Sequence, residues 1–318
     1  MLFNLLNYEA TKPSIWQGRK DSLPGERFFQ QVDLLDLNMQ SLKKSRPATI
    51  ILGFCSDEGI SRNEGRIGAK YGPVKLREQL AKLACHSPKR IIDIGNIVCN
   101  KDLELAQEQF ARMINHCHQL GYKTLGFGGG HEIAWGHFSG LTCHYPKLGI
   151  INFDAHFDLR FSKEDYSTSG TSFRQIATYC LQNQLPFDYC CIGIQSSANT
   201  QSLFDCAKEL NVSYLTTEQI NKESFAWQST FLDNFMLNHD YIYLSLCLDV
   251  FAECFAPGVS APQAMGLTPW QTLPLLKYIL QTGKVIGLDI AELSPPLDEE
   301  QKTARLAAGL VAELLDYF

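Results

Sequence analysis

The sequence predicts an α/β fold in which helices cover both faces of a mostly parallel sheet. Three observations lead to this prediction: short runs that are apolar throughout, amphipathic stretches between them, and acidic residues or histidines directly after several runs. Unbroken apolarity, rather than strict alternation, is typical of strands buried on both faces. Strands that alternate with helices along a chain are typical of parallel sheets with right-handed crossovers.

The elements follow from the local patterns. Six apolar runs are predicted to be strands: residues 48–54, 124–127, 148–153, 189–194, 241–246 and 285–290. Residues 104–120 carry apolar side chains at close to helical spacing, which predicts a helix. Three more helices are predicted at residues 202–210, 270–282 and 303–317. No repeat or flexible linker divides the chain, so we expect one three-layer α/β/α domain over residues 1–318, with 1–45 as an N-terminal extension packing on it.

The composition excludes several classes of protein. Lysine and arginine total 28 and acidic residues total 34, so the net charge of −6 argues against binding to nucleic acid. No window approaches the roughly 18 apolar residues that a membrane span needs. The first nine residues lack a basic segment, and the 11 cysteines show no CxxC spacing. We therefore expect a cytoplasmic protein with reduced thiols and no membrane partner.

Acidic and imidazole side chains follow the run at 148–153. Asp154, His156 and Asp158 are spaced two apart, so they share one side of an extended chain. Carboxylate oxygens with an imidazole suit Mn²⁺ or a similar divalent ion better than a structural zinc site. The alternative is that Asp154 caps a helix and that His156 has no role in binding.

Other predicted strands end in similar residues. His131 follows three glycines after 124–127, Cys247 and Asp249 follow 241–246, and Glu292 follows 285–290. Ligands of open α/β sheets bind beyond the carboxyl ends of the strands. Because clustered acids repel one another unless cations neutralise them, these ends together predict a metal site.

Four segments, taken in order, resemble the metal motifs of the ureohydrolases, the family that contains arginase and agmatinase. They are GGGHE at 128–132, DAHFD at 154–158, SLCLD at 245–249 and DIAE at 289–292. The resemblance implies an arginase-like fold with two Mn²⁺ ions per subunit, which hydrolyses C–N bonds at guanidinium or amidine carbons. It also implies that the ligands are His131, Asp154, His156, Asp158 and Asp249, with Asp154 bridging the ions.

Further segments resemble the formimidoylglutamase branch of that family. They are WQGRKD at 16–21, SDEG at 56–59, NEGRIGA at 63–69, GHEIAWG at 130–136 and APGVSAP at 256–262. This resemblance implies hydrolysis of N-formimidoyl-L-glutamate to L-glutamate and formamide in histidine degradation. Asp158 would then transfer a proton and Glu292 would hold the cationic amidine. Homologous enzymes commonly assemble, so we expect a homo-oligomer by analogy.

Cys247 departs from the family pattern, which has a second bridging aspartate at this position. A carboxylate spans two hard ions better than a thiolate because it offers two oxygens, so we expect weaker binding of the second Mn²⁺. Cys55 follows the strand predicted at 48–54 and should open on the same rim. We therefore hypothesise a reversible disulfide between Cys55 and Cys247, the alternative being two free thiols.

A substrate with two carboxylates needs basic and polar partners. We predict that Arg66 and Arg174 bind the carboxylates, because arginine is the preferred bidentate clamp, and that Asn63 and Asn199 complete the substrate site. Arg160 is a further candidate, although it directly follows the metal motif. Each arginine has an alternative role in a surface ion pair.

Three other functions remain open at this point. The chain could be another ureohydrolase acting on a guanidino or amidino compound, such as an agmatinase or arginase. It could be a thiol-dependent amidine hydrolase with Cys247 as nucleophile. It could also be a metal-deficient, non-catalytic binding protein on the same fold.

Overall fold

The computed structural model describes residues 6–86, 89–161 and 166–318 of the chain. In these ranges ten strands form one sheet. They are β1 (Tyr8–Glu9), β2 (Val32–Leu34), β3 (Thr49–Cys55), β4 (Ile91–Val98), β5 (Lys123–Phe127), β6 (Leu148–Phe153), β7 (Asp188–Ile194), β8 (Ser213–Thr216), β9 (Tyr241–Cys247) and β10 (Val285–Ala291). The sheet runs in the order β1-β4-β3-β5-β10-β9-β6-β7-β8, and β2 also pairs with β4. Only the β1–β4 pairing is antiparallel among these described strands, so the sheet is mostly parallel as predicted.

Helices cover both faces of this sheet. They are α1 (Phe28–Gln31), α2 (Glu58–Arg62), α3 (Gly72–Leu80), α4 (Leu103–Gln119), α5 (Ile133–Thr142), α6 (Ser172–Gln182), α7 (Gln201–Glu209), α8 (Thr217–Lys222), α9 (Phe225–Met236), α10 (Pro269–Gln281) and α11 (Lys302–Leu315). Alternate residues of β3 enter two separate cores: Ile50 joins the core that holds α4, α5 and α6, and Ile51 joins the core that holds α3, α10 and α11. The predicted α/β/α layering is confirmed.

The six predicted strands and four predicted helices are all present, within a residue or two of the expected ends. The strand β4 was missed because Asp93, Gly95 and Asn96 interrupt its apolar pattern. The fold tolerates these residues because the buried Arg77 of α3 contacts both polar side chains, at 2.7 Å from Asp93 Oδ2 and 2.8 Å from Asn96 Oδ1.

The N-terminal region is held to the sheet through the same aspartate. Trp16 donates from Nε1 to Asp93 Oδ2 at 2.7 Å, and Thr11 donates to Asp93 Oδ1 at 3.1 Å. The strands β1 and β2 add to the edge of β4. The motif around Trp16 therefore has a structural role, since it closes a buried polar network at the edge of the sheet. None of the helices in the described ranges combines the length and the apolar composition that a membrane span requires.

Candidate metal centre

The candidate site lies at the carboxyl ends of four neighbouring strands, β5, β10, β9 and β6. They contribute the side chains that the sequence singled out: His131 after β5, Asp154, His156 and Asp158 after β6, Cys247 and Asp249 at and after β9, and Glu292 after β10. All but Asp154 line one cavity of about 90 Å³, and Asp154 is fully buried beneath it. Parallel strands bring these distant segments to one rim, as the fold class predicts.

Two groups of potential ligands share Asp154. One comprises His131, Asp154 and Cys247, the other Asp154, His156 and Asp249, and within each group the ligand atoms lie within 4.8 Å of one another. Nδ1 of His131 lies 2.9 Å from Oδ2 of Asp154, and Nδ1 of His156 lies 3.4 Å from its Oδ1. The two oxygens of Asp154 thus face different groups, which is the arrangement of a bridging carboxylate.

Asp158 belongs to the first group by contact, since its Oδ2 lies 2.8 Å from Nδ1 of His131. Burial and the nearby charge of Asp154 raise the pKa of Asp158 to about 6. Burial also acts to raise the pKa of Asp154. Hydrogen bonds from His131 and His156 outweigh this effect, so the pKa of Asp154 is lowered. The two carboxylates therefore differ in protonation when no cation lies between them.

The polar atoms of this site fit a bound cation. Oδ1 of Asp249 and Oε2 of Glu292 are buried and have no hydrogen-bond partner among the residues that the structure describes. Burial and the charges of Asp249 and Glu132 raise the pKa of Glu292 well above its usual value. Uncompensated buried carboxylates are costly unless a cation neutralises them. Oxygen and imidazole donors in this number suit Mn²⁺ or a related divalent ion.

The backbone is strained at two of these residues. Asp158 has φ of 49° and Glu292 has φ of 73°, a conformation that residues with a side chain adopt at a cost of about 1–3 kcal/mol. Such strain persists only where the surrounding structure determines it. Here it aims both carboxylates at the cavity, with Oε1 of Glu292 accepting from the backbone N–H of His131 at 2.9 Å.

The glycine run at 128–130 lets the neighbouring loop approach the site closely. A Cβ on Gly129 would lie 1.8 Å from the carbonyl oxygen of Ser56. The buried Glu132 then accepts hydrogen bonds from the hydroxyl of Ser56 at 2.8 Å and from the backbone of Gly59 at 3.0 Å. Sequence reasoning assigned no role to Ser56 or Glu132, although both lie in the quoted motifs.

Cys247 lies within the first ligand group and is 2% exposed. Burial raises the pKa of its thiol well above the usual value, and the charges of Asp154 and Asp249 add to this effect. A thiol nucleophile needs a lowered pKa, so this environment disfavours the thiol-dependent hydrolase considered above.

The fold does not bring Cys55 and Cys247 together. Cys55 ends β3 and Cys247 ends β9, with β5 and β10 between them. Three strand spacings separate them by about 14 Å, whereas disulfide-bonded residues have Cα atoms roughly 4.4–6.8 Å apart. Both thiols are free, and burial raises the pKa of Cys55 to about 12. The topology therefore contradicts the hypothesised redox pair.

The predicted substrate residues separate into two sets. Asn63 lines the cavity together with Arg160, Ser260 and Ala261. Asn199 does not, because its side chain is used within the fold: it accepts from the backbone N–H of Phe157 and donates to the carbonyls of Ala155 and Gln195. Asn199 thus holds the metal-motif loop and is corrected from a substrate residue to a structural one.

Arg66 and Arg174, the two arginines predicted first, do not line the small cavity. Arg66 donates to the backbone carbonyls of Val259 and Ser260 at 2.8 and 2.9 Å, so it fastens two loops at the rim. Arg174 donates to the sulfur of Cys206 at 3.1 Å and stacks over Phe161. It lines a second cavity of about 420 Å³, and Arg160 lines both cavities. Arg160 is therefore the arginine that the structure places beside the candidate metal ligands.

Comparison with known proteins gives the same family as the motifs. The model of the arginase family matches residues 47–316. The formimidoylglutamase of Legionella pneumophila subsp. pneumophila is 59% identical over 99% of both chains. Two solved structures share the fold: the formimidoylglutamase of Bacillus subtilis (TM-score 0.79, 23% identity, 91% of this chain and 90% of that one) and the formiminoglutamase of Trypanosoma cruzi with Mn²⁺ (TM-score 0.78, 23% identity, 87% and 95%). The resemblance seen in the sequence is confirmed, and the chain belongs to the arginase family.

Proposed function

We propose that this chain is a manganese-dependent hydrolase that cleaves the formimidoyl C–N bond of N-formimidoyl-L-glutamate, releasing L-glutamate and formamide. The observation that carries the proposal is the pair of ligand groups that share Asp154 and face the buried carboxylate of Glu292. The full-length identity of 59% to a formimidoylglutamase supports the choice of substrate within the arginase family.

His131, Asp154, Asp158 and Cys247 would hold one Mn²⁺, and Asp154, His156 and Asp249 the other. Such a pair of ions lowers the pKa of water toward neutrality and supplies a nucleophile. Manganese is the choice because the related Trypanosoma cruzi enzyme was crystallised with it and because the donors are hard oxygens and imidazoles. Cys247 supplies a thiol where a second carboxylate would bridge the ions. We therefore propose two ions per chain, with the second Mn²⁺ bound more weakly than the first.

Glu292 would bind the cationic amidine. Its Oε1 is held by the backbone of His131, which leaves the unpartnered Oε2 to accept from the amidinium N–H groups. A cation beside this buried carboxylate favours its ionised form, so substrate binding would offset the effect of burial on its pKa. The planar formimidoyl carbon would then lie between Glu292 and the ligand groups.

Asp158 would move the proton that the reaction requires. Attack of water on the formimidoyl carbon gives a tetrahedral carbon that bears two nitrogens. Asp158 takes the proton from the attacking oxygen and delivers it to the glutamate nitrogen, after which the C–N bond to that nitrogen breaks. Asp158 is placed for this transfer because it lines the cavity together with Glu292.

Arg160 and Asn63 would recognise the glutamate carboxylates at the mouth of the site, because both line the cavity with the metal ligands. Arg174 and Arg160 both line the second, larger cavity. Arg174 would bind the substrate carboxylate that lies farther from the metal ligands. Asn63, Arg160 and Arg174 are thus the sequence candidates assigned to the substrate, whereas Arg66 connects two loops.

A substrate panel tests the proposal. Manganese-loaded protein is incubated with N-formimidoyl-L-glutamate, L-arginine or agmatine, and L-glutamate, formamide and urea are measured. Glutamate and formamide in equal amounts from the first compound alone are the expected result. Urea from either guanidine at a higher kcat/KM would instead favour another ureohydrolase. Protein that binds Mn²⁺ but turns over none of the three would favour a binding function.

The cellular location and the oligomeric state of the enzyme are further parts of its function. We expect it to act in the cytoplasm on a small-molecule substrate and to form a homo-oligomer, as homologous enzymes commonly do. Light scattering after size exclusion measures the assembly directly, and a mass equal to the 35.8 kDa chain would contradict it.

A further inference from the structure

A buried hydrogen-bond chain leads away from the metal centre through His131. Nε2 of His131 lies 2.9 Å from the hydroxyl oxygen of Ser245, and that hydroxyl donates to Oδ1 of Asp289 at 2.6 Å. All three side chains are at most 1% exposed. Ser245 and Asp289 are direct partners in the register of β9 and β10, so the sheet itself sets their contact.

The chemistry of these groups fixes the direction of both hydrogen bonds. A serine hydroxyl has a single proton, and here that proton goes to the carboxylate of Asp289. The serine oxygen must then accept from His131, which places a proton on Nε2. Nδ1 is the atom that faces Asp154 and Asp158, and without a cation it donates to them. A metal ion would take the place of that Nδ1 proton, and because a neutral imidazole then carries its one N–H on Nε2, the Nδ1 lone pair would face the ion.

The other oxygen of Asp289 is held just as firmly. Tyr243 donates its hydroxyl to Oδ2, and Nδ1 of His137 lies 3.0 Å from the same atom. Burial raises the pKa of Tyr243 well above its usual value, so Tyr243 stays a donor. Nε2 of His137 is in turn 2.9 Å from the hydroxyl of Thr124. Both carboxylate oxygens of Asp289 thus have hydrogen-bond partners, and these contacts hold the side chain in one orientation.

We propose that Asp289 is a positioning residue: acting through Ser245, it holds His131 with a proton on Nε2 and presents the Nδ1 lone pair to the metal ion. The inference rests on the metal centre of the proposed function and adds a pair of residues to which the motifs gave no role. A partner of this kind orients an imidazole ligand and raises its basicity, and its loss typically weakens metal affinity by about 10–100-fold.

The test measures Mn²⁺ affinity, by electron paramagnetic resonance of the free ion, for wild type and for Asp289→Asn and Ser245→Ala. Thr272→Val is the matched control, since it removes the hydrogen bond that a buried hydroxyl on α10 donates to the carbonyl of Thr268 and leaves Asp289, Ser245 and His131 unchanged. We expect affinity about 10–100-fold weaker for the first two variants and within about twofold of wild type for the control. Saturating Mn²⁺ should restore most of kcat, because no reacting group has been removed.

A second readout separates positioning from a general loss of stability. In zinc-loaded protein with ¹⁵N-labelled histidine, the Nε2–H of His131, assigned with His131→Asn, should exchange slowly with solvent in wild type and much faster in Ser245→Ala, because the variant removes its hydrogen-bond acceptor. If Asp289→Asn fails to fold, Ser245→Ala still decides. Equal affinity in wild type and both variants, or a wild-type proton on Nδ1, would overturn the inference. A wild type that binds no Mn²⁺ would overturn the proposed function itself, and the two failures are thereby distinguishable.

Discussion

Nδ1 of His156 lies 3.1 Å from Oδ2 of Asp249, although the two residues follow different strands. His156 belongs to the loop after β6 and Asp249 to the turn after β9, and these strands are neighbours in the sheet. The contact completes the second ligand group around Asp154. The site is therefore a product of strand order, and Asp154 is the residue on which both groups depend.

Asp154→Asn should remove metal from both groups at once. Because an amide provides one weak, neutral oxygen donor in place of a bridging carboxylate, bound Mn²⁺ should fall well below one ion per chain, and kcat/KM by at least about 100-fold. Elemental analysis and glutamate release measure the two effects. Asp205→Asn, a substitution of an exposed aspartate on α7 that belongs to neither ligand group, is the control and should change neither. Full metal content in Asp154→Asn would contradict the shared ligand.

Cys247→Asp should strengthen manganese binding. A carboxylate offers two hard oxygens where the buried thiol offers one soft atom, so we expect about tenfold higher affinity for the second ion and higher activity at limiting Mn²⁺. Cys247→Ser serves as the size-matched control without a carboxylate. Titration of metal-free protein with Mn²⁺ gives both affinities. A Cys247→Asp variant that binds Mn²⁺ more weakly than wild type would show that the thiol is itself the better ligand.

Asp93→Asn should destabilise the whole fold. Its carboxylate is paired with the fully buried Arg77 and also accepts from Trp16 and Thr11, so the substitution leaves an uncompensated buried charge. The expected loss in the free energy of unfolding is about 3–5 kcal/mol. Asp33→Asn removes an aspartate–arginine pair with Arg90 that is about half exposed, and should cost at most about 1 kcal/mol. Urea unfolding of both variants decides, and equal losses would contradict the argument from burial.

His118 should make stability depend on pH. It is buried between Thr124 and Tyr145, and burial, with repulsion from His137 and His144, lowers its pKa to about 3. The unfolded chain, with an ordinary pKa near 6.5, therefore binds more protons than the folded protein between about pH 3 and 6.5. Stability from this group is complete above pH 6.5 and falls as the pH is lowered, by up to about 1.4 kcal/mol per pH unit.

The comparison of wild type with His118→Gln isolates this effect. Both proteins are unfolded with urea at several values between pH 4 and 7, without added metal, so that the other titrating groups cancel. The free energy of unfolding should fall less steeply with decreasing pH in the variant, because glutamine has no proton to bind. Identical slopes would mean that His118 is not held neutral in the folded protein.

The sequence predicted the layers of the fold and the cluster of candidate ligands because both follow from local patterns. Apolar runs identified the central strands, and the residues directly after them identified His131, Asp154 and Asp249 as neighbours. Strand β4 was missed because the partner that makes Asp93 tolerable, Arg77, lies 16 residues earlier in the chain.

Contacts between side chains on different strands and loops could not be predicted from the sequence for the same reason. Asn199 looked available for substrate, yet its three hydrogen bonds are made to loop backbone that only the fold brings near it. Cys55 and Cys247 share a rim, but their separation depends on the order of strands, which local patterns do not reveal. Ser245 and Asp289 meet through the register of β9 and β10, which is equally nonlocal.

The most direct test of the central claim is the release of L-glutamate and formamide from N-formimidoyl-L-glutamate by metal-free protein as Mn²⁺ is added. We predict no turnover without metal, then equal amounts of both products at a rate that rises with bound Mn²⁺ up to two ions per chain. Turnover that is unchanged by exhaustive chelation, or the absence of glutamate at full manganese occupancy, would contradict the account.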